Sequence, residues 1–487
     1  MRPYAVFVLL VALLGALGYV LVSRPRLPHP MPGVTLAPPP DGGEGDAGAG
    51  GDARVLDAAP PSKLDRALKV TSLGWDVLAA AVVENGGSSP GPLSGFTREG
   101  LDVQLVATTA IERLEEKLAK GGTEAEGADV AVVPMPTYVA SYERLRALEP
   151  EVFLVVGWSR GKEALAARES SLVPAPSGAE VKMLSLAPDA ATLLGLFVLD
   201  LEGVPLSHVR LIKPGATSPT EDPSEGRSAV SLVAFDRAHA DDALANGRHL
   251  LLTTADASRL IPIVAIASKG FLDAHREAVT AFAQGFIRGI ELSRKDVPAA
   301  ARQVASIQGA PEAVVLLAEL GQTAPASLRE NAELMGLSGR TAVTLEKLFA
   351  SEWQLWRGAG VLSTPAPELA PFTSEAVTAL IRADASLTTA VPASEIPPPA
   401  DVFGKVPASA APLVSHPARG PKLDENKLAA DVGWISGIFE HAIVRVAAPG
   451  KAAQRVAALA KDQFGVPASR MAPVASAKVL VDVMSAP

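Results

Sequence analysis

Two stretches rich in proline and glycine divide this chain of 487 residues and limit the length of what can fold between them. From Arg24 to Ser62, 16 of 39 residues are Gly or Pro, which leaves too little apolar surface to offset the entropy of ordering. A second stretch, 387–421, holds eight prolines. A proline-rich linker predicts few contacts between the segments that it joins. We therefore predict a disordered linker over 24–66, a folded block over 67–386, a proline-rich linker over 387–421 and a small C-terminal domain over 422–487.

Ahead of the first linker lies a run of 19 residues without a charge, from Tyr4 to Val22. As a helix it is about 28 Å long, which is enough to cross the hydrocarbon core of a bilayer. The run is longer than the apolar part of a cleaved signal peptide, and Ser23 to Arg26 offers no small-residue cleavage site. We predict an uncleaved signal anchor, a transmembrane helix over 1–23 in a bacterial inner membrane, with the bulk of the chain in the periplasm.

The composition excludes several classes of protein. The sequence has no cysteine, which rules out disulfide scaffolds, cysteine-bound zinc and iron–sulfur clusters. Its 44 basic and 53 acidic residues give a net charge of −9, whereas a nucleic-acid-binding protein needs a basic face. The seven histidines are dispersed, and no phosphate-binding loop or dinucleotide fingerprint is present. We therefore predict no metal, no cofactor and no nucleic-acid partner.

Strand and helix signals alternate through the folded block in two series that separate near residue 160. Such alternation predicts two α/β lobes with parallel sheets, helices on both faces and a ligand cleft at the carboxyl ends of the strands. From Phe271 to Gly358 the pattern is almost wholly helical. The predicted strands are Leu68–Leu73, Leu101–Val106, Asp129–Val133, Val152–Val156, Val209–Ile212, Val230–Ala234, Leu250–Thr253 and Ile261–Ala267. The predicted helices between them are Val77–Val83, Ile111–Lys120, Thr137–Leu148 and Asp189–Leu201.

Short motifs in this order resemble the periplasmic substrate-binding proteins of ABC transporters with the type 2 fold, in the sulfonate, nitrate and thiamine-precursor group. The resemblance covers about residues 67–385 and implies a two-lobed α/β fold that binds a small molecule in the cleft between its lobes. The matching residues are Gly74-Trp75, Glu84-Asn85-Gly86, Phe96 with Gly100-Leu101-Asp102-Val103, Asp129-Val130-Ala131-Val132, the turn Gly157 to Lys162, and Gly270-Phe271-Leu272 with His275.

Several residues that follow predicted strands are candidates for ligand binding. Trp75 and Trp158 are placed to form aromatic walls of the cleft, or else to pack as core. Thr137, at the start of a helix, offers a hydroxyl near free N–H groups, or a simple helix cap. Arg160 and Arg237 are candidates to hold an anionic ligand, since guanidinium binds a carboxylate or sulfonate in two places; the alternative is an exposed surface arginine. Ser159 and Asp236 complete the predicted set.

An alternative interpretation concerns Ser159. Gly157-Trp158-Ser159-Arg160-Gly161 matches the Gly-x-Ser-x-Gly pattern of serine hydrolases and follows a hydrophobic strand. A hydrolase also needs a later acid and histidine, and Asp236 and His275 are available by order along the chain. However, no His-Gly-Gly-Gly segment precedes the serine to supply an oxyanion site. The predicted turn explains the same residues as a ligand-facing loop.

The C-terminal domain resembles the OmpA-like peptidoglycan-binding domain, although its pattern is degenerate. The order of helix, strand and helix is present, followed by Phe464-Gly465-Val466-Pro467 and Arg470. The family binds the peptidoglycan stem peptide with an aspartate after its second strand, but Val446 to Gly450 contains none. The resemblance therefore implies a small α+β domain and leaves peptidoglycan binding doubtful.

Together these features favour a non-enzymatic, membrane-tethered solute-binding protein. Its small ligand, anionic if the arginines hold it, would be passed to an ABC-type permease or presented to a sensor. The alternatives are an envelope scaffold that has lost ligand binding and the serine hydrolase described above.

Overall fold

A computed structural model describes most of the chain from Pro60 onward, within one compact unit that runs from Ala59 to Pro487. The predicted anchor over 1–23, most of both predicted linkers, and Arg237 lie outside the described residues. No helix in the described ranges has both the length and the apolar character needed to cross a bilayer. The described ranges are 60–91, 93–167, 180–185, 188–212, 231–236, 239–240, 247–339, 341–384, 411–418 and 422–485.

The described residues form fifteen strands and fourteen α-helices. The strands are β1 (Leu68–Leu73), β2 (Val103–Thr108), β3 (Val130–Pro134), β4 (Pro150–Ser159), β5 (Glu163–Ala167), β6 (Val181–Leu184), β7 (Val209–Ile212), β8 (Ser231–Asp236), β9 (His249–Thr253), β10 (Pro262–Ser268), β11 (Thr323–Pro325), β12 (Val414–Pro417), β13 (Ile443–Ala448), β14 (Met471–Ala475) and β15 (Leu480–Met484). The helices are α1 (Ala79–Asn85), α2 (Gly95–Arg98), α3 (Ile111–Lys120), α4 (Met135–Leu145), α5 (Ala190–Leu201), α6 (Lys269–Ala274), α7 (Arg276–Lys295), α8 (Val297–Ala305), α9 (Ala313–Leu320), α10 (Leu328–Leu334), α11 (Leu345–Gly358), α12 (Glu375–Ala383), α13 (Glu425–Ile438) and α14 (Ala452–Phe464).

The first lobe is built on a six-stranded sheet with the order β11-β4-β10-β3-β1-β2. Strand β1 is parallel to β2 and β3, but β10 is antiparallel to β3 and β4. The second lobe has a five-stranded sheet, β7-β6-β8-β5-β9, in which β5 is antiparallel to both neighbours. The prediction of parallel sheets was therefore confirmed only in part, because both sheets mix parallel and antiparallel pairs. Every antiparallel pair in these two sheets involves β5, β10 or β11.

The ordered fold begins ahead of the boundary set from the sequence. Residues 60–66 were placed in the first linker, yet Leu64 is buried in the core. The guanidinium of Arg66 donates to both carboxylate oxygens of Asp129 at 2.7 Å. Because Asp129 leads into β3, this ion pair fixes the entry of the chain to the sheet of the first lobe.

The C-terminal domain is a four-stranded sheet, β12-β15-β13-β14, with α13 and α14 packed together against it. Its edge strand β12 lies inside the stretch 387–421 that was assigned to the proline-rich linker. Strand β12 pairs antiparallel with β15. Proline at the end of an edge strand costs little, because that position does not need a ladder N–H, so the composition concealed this strand.

Both lobes and the C-terminal domain share one hydrophobic core. Every residue of α5 in the second lobe is buried except Asp200. Helix α11 packs against α5 and also against α4 of the first lobe, where the indole N–H of Trp356 donates to the carbonyl of Pro136 at 3.0 Å. The expectation of few contacts between the block and the C-terminal domain was wrong, because the rings of Phe197 in α5 and Phe439 after α13 stack with their centroids 6.3 Å apart.

Candidate functional site

Two short segments join the lobes, and they run side by side. Residues 160–162 connect β4 to β5, and residues 254–261 connect β9 to β10. The hydroxyl of Thr254 accepts the backbone N–H of Gly161 at 2.8 Å, and the N–H of Thr254 donates to the carbonyl of Glu163 at 3.0 Å. The backbone N–H of Ser159 donates to the carbonyl of Ile261 at 2.9 Å. The crossing is therefore a hydrogen-bonded double strand.

A buried carboxyl group lies inside this crossing. Glu163 accepts the hydroxyl of Ser159 and, at 3.0 Å, the hydroxyl of Thr254. Burial raises the pKa of Glu163, although Ser159, Lys162 and Thr254 partly oppose that rise. Ser159 is itself buried, so the serine selected from the sequence holds the crossing together through a neighbouring acid.

A second ion pair links the crossing to the loop after β1. The ammonium group of Lys162 lies 2.8 Å from a carboxylate oxygen of Asp76. Burial acts to lower the pKa of Lys162, but the charge and hydrogen bond of Asp76 raise it. Gly74 makes this loop possible, because its φ of +108° is strained for other residues and an added Cβ would lie 2.6 Å from a carboxylate oxygen of Asp76.

Carboxylates from both lobes lie within electrostatic range of this pair. Burial raises the pKa of Glu319, at the end of α9 in the first lobe. The charges of Asp76 and Asp236 raise it further, whereas Lys162 lowers it. Asp236 ends β8 in the second lobe, and its carboxylate is 2.6 Å from Nδ1 of His239. We call Asp76, Lys162, Glu319 and Asp236 the crossing cluster; its formal charge is three negative against one positive.

Helix α5 of the second lobe is capped by another acid, which lies within electrostatic range of Asp236. Asp189 caps α5 by accepting the backbone N–H of Thr192 at 2.8 Å and its hydroxyl at 2.7 Å. Burial raises the pKa of Asp189, and repulsion from Asp236 adds to that rise. The first turn of α5 therefore presents a capped and partly buried acid toward the crossing cluster.

The structure places the residues selected from the sequence in three regions: the crossing, the interior of the first lobe and, for Trp158, the side that faces the C-terminal domain. Trp75 is half-buried and lies next to Asp76. Arg160 is exposed, and its backbone N–H donates to the carbonyl of Gln322 at 2.7 Å. Thr137 is buried in the first turn of α4. Thus Trp75, Ser159, Arg160 and Asp236 lie at or beside the crossing, whereas Thr137 lies inside the first lobe.

Trp158 faces the C-terminal domain and lines a pocket of about 250 Å³ there. The guanidinium of Arg259 lies over its ring, 4.9 Å from the ring centroid. Strand alternation explains the placement, because Trp158 and Ser159 are neighbours in β4 and point to opposite faces. We call this space the junction pocket; its other lining residues include Glu330 of α10, Val343, Ser436 and Gly437 of α13, Glu440, Phe464 and Arg470.

Sequence reasoning missed Asp76, Lys162, Glu163, Thr254 and Glu319. A usable signal existed for the first two. Asp76 directly follows Trp75, and Lys162 ends the turn that was already singled out. The others carry no local pattern, because they meet only when the second lobe returns to the first. In the part of the chain that the structure describes, no group of three or more His, Asp or Glu side chains is placed to hold a metal ion.

No protein-family model matches the chain, and no curated protein matches it. Among solved structures, a periplasmic sulfonate-binding protein from Methylobacillus flagellatus aligns with a TM-score of 0.47 and 13% identity, over 67% of this chain and 97% of its own. The aliphatic sulphonate-binding protein from Escherichia coli gives 0.38 and 15%, over 62% and 96%. A Candida albicans protein with the generic periplasmic binding protein fold gives 0.41 and 11%, over 66% and 95%. Each of these TM-scores is below 0.5, which is too low to indicate a shared ligand or function.

Proposed function

We propose that this chain is a non-enzymatic solute-binding protein that holds a small, positively charged ligand between its two lobes. The observation that carries this proposal is the crossing cluster. Asp76 and Glu319 come from the first lobe and Asp236 from the second. Asp76 pairs with Lys162, and Glu319 lies within electrostatic range of Asp76, Asp236 and Lys162. A cation bound among these carboxylates reduces the repulsion from Asp76 and Asp236, which adds to burial in raising the pKa of Glu319.

The charge of the cluster favours a cation over the anion that the arginines suggested. The ammonium group of Lys162 is already neutralised by Asp76 at 2.8 Å. Arg160 has an exposed side chain, and Arg237 lies outside the described residues. Three carboxylates against one ammonium leave the cluster with a net negative charge, which repels an anion and attracts a cation.

A serine hydrolase receives less support from the same residues. The hydroxyl of Ser159 donates to Glu163, while His275 packs its ring against Phe271 at 4.9 Å. Asp236 pairs with His239 instead. Nucleophilic catalysis needs a base in contact with the serine and a third group that orients the base, and the predicted trio does not form that chain of contacts.

We further propose that the protein works in the periplasm, tethered by the segment 1–23, and presents its ligand to an ABC-type permease or a sensor. This part rests on the uncharged run from Tyr4 to Val22 and on the order of motifs in the folded block. A tether of this kind keeps a binding domain near its membrane partner and raises its effective concentration there.

The test is a set of urea unfolding curves with two panels of small molecules. One panel contains diamines, basic amino acids and quaternary ammonium compounds; the other contains sulfonates, nitrate and carboxylates. A ligand present at 100 times its dissociation constant adds about 2.7 kcal/mol to the free energy of unfolding. We expect that gain from a cation in the parent protein and in Glu312→Gln, which changes an exposed glutamate next to α9. The gain should be much smaller in Glu319→Gln.

Each outcome separates the proposals. Stabilisation by a sulfonate or nitrate and by no cation would overturn the charge of the ligand but retain solute binding. If neither panel stabilises the protein, solute binding fails and the envelope scaffold becomes the better account. Labelling of Ser159 by a fluorophosphonate would instead support the hydrolase.

A further inference from the structure

The C-terminal domain touches three separate parts of the folded block. One contact is on the second lobe, one is on the segment that joins the lobes, and one is on α11 and the residues just before it. A domain attached to both sides of a hinge restricts the motion that the hinge allows, because rotating one lobe requires at least one attachment to break.

The attachment to the second lobe is made by strand β12. Its Ser415 donates a backbone N–H to the carboxylate of Glu202 at 2.6 Å, just after α5. The ring nitrogen Nδ1 of His416 lies 2.9 Å from the carbonyl oxygen of Leu201. The carbonyl of Leu201 is the last of α5, where carbonyl groups lack partners within the helix. Strand β12 therefore contacts one helix-end carbonyl and one carboxylate of the second lobe.

The attachment to the joining segment centres on Arg259. Its backbone N–H donates to the carbonyl of Ile438 at 3.1 Å. Its guanidinium pairs with Glu330 of the first lobe and with Glu440 of the C-terminal domain, the latter at 2.8 Å. Burial acts to lower the pKa of Arg259, but the two carboxylates raise it. One partly buried guanidinium thus contacts both the first lobe and the C-terminal domain from the segment that joins the lobes.

The third attachment is made by packing on α11 and the residues just before it, and α11 itself packs against α4 of the first lobe and α5 of the second. Gly437 of α13 lies so close to the side chain of Val343 that any Cβ there would overlap it. The ammonium group of Lys347, in α11, lies 5.6 Å from the ring centroid of Phe464. Close approach through a glycine and an aromatic contact is typical of a fixed interface between two packed helical surfaces.

We infer that the C-terminal domain is an internal brace that fixes the angle between the two lobes. The brace holds the second lobe through Glu202 and the first lobe through Glu330, with Arg259 between them, and it packs on α11 through Val343 and Lys347. The protein then presents a preset cleft rather than one that opens and closes around its hinge. This inference concerns the geometry of the lobes and does not depend on any ligand.

The absence of cysteine in the chain allows a clean distance measurement. We would introduce Ala119→Cys on the first lobe and Leu250→Cys on the second, both at exposed positions, and attach spin labels. The distance between the labels is then measured by pulsed electron paramagnetic resonance in the full chain. The test variant carries Glu202→Ala and Glu440→Ala, which removes one partner at each of two attachments. The matched control carries Glu112→Ala and Glu346→Ala, two exposed glutamates outside the brace.

We expect a single narrow distance distribution in the labelled parent and in the control, and at least a doubling of its width in the brace variant. Circular dichroism checks that each variant is folded. A broad distribution in the parent would overturn the inference, and so would equal widths in the brace variant and the control. If the double variant does not fold, Glu202→Ala and Glu440→Ala are measured singly, and unchanged widths in both would also overturn it.

Discussion

A carboxyl group without a partner lies in the middle of α11, and it gives the sharpest prediction about stability. Glu352 is almost completely buried, and among the residues that the structure describes neither of its carboxylate oxygens has a hydrogen-bond partner. Burial alone raises the pKa of this carboxyl well above its ordinary value of 4.5. The folded protein therefore keeps Glu352 protonated at pH values where the unfolded chain releases the proton.

The sign and size of the effect follow from proton linkage. A raised pKa means that the native state binds more protons than the unfolded state, so the free energy of unfolding falls as pH rises above 4.5. While the folded state stays protonated, the loss is about 1.4 kcal/mol for each pH unit. The loss continues at that rate up to the raised pKa of Glu352 in the folded state, above which it levels off.

We would test this with Glu352→Gln, which keeps the size of the side chain and removes its titration. Urea unfolding is followed at pH 5, 6 and 7, and the difference between variant and parent is plotted against pH. The exposed Glu346 on the same helix provides the control Glu346→Gln, for which we expect no slope. Other titrating groups are common to all three proteins and cancel in the difference. If Glu352→Gln and the parent show the same pH dependence, the carboxyl is ionised in the folded protein and the reasoning fails.

Two further predictions concern the titration of Glu202 and the backbone conformation of Gly74. Burial raises the pKa of Glu202 to about 7, with repulsion from Asp482 adding to that rise and the N–H of Ser415 opposing it. The free energy of unfolding should therefore fall as pH rises from 4.5 to about 7. In the same urea experiment, Glu202→Gln should lack this part of the pH dependence. Gly74→Ala should lower the free energy of unfolding by about 1–3 kcal/mol because of its positive φ and the overlap with Asp76. The control Gly270→Ala, in a helix with no atom within 4 Å of the added Cβ, should leave stability unchanged or slightly higher, and an equal loss in both would refute the strain argument.

Periodicity predicted many of the elements because it records which face of a segment is buried. Helix Ile111–Lys120 and strand Val209–Ile212 have the predicted bounds, since each has a clear pattern and a defined end. Strand β5 was missed because Glu163-Ala164-Leu165-Ala166-Ala167 has the composition of a helix. Its neighbours β8 and β9 make it a strand, so tertiary pairing overrides local preference there.

The candidate site was harder to predict, since its members meet only through long-range contacts. The sequence indicates the loop after β1 through Trp75. However, it is the neighbouring residue Asp76 that forms the ion pair with Lys162, 86 positions away in the sequence. Of the two placements predicted for Trp158, the structure shows core packing beside the junction pocket. Local composition does not reveal the register of β4. Arg259 joins Glu440 from 181 positions away, and no local pattern records such a partner.

The brace and the crossing cluster bear on each other through the cost of holding like charges together. Lobes that swing freely could separate Asp236 from Asp76 and Glu319, and their repulsion would favour the open form. With the angle fixed by attachments at Glu202 and Arg259, that repulsion persists without ligand and adds to burial in raising the pKa of Glu319. Part of the electrostatic cost of assembling the cluster is then met when the protein folds, and a cation that binds there meets carboxylates already in place. Such preorganisation favours affinity because little ordering remains to be done on binding.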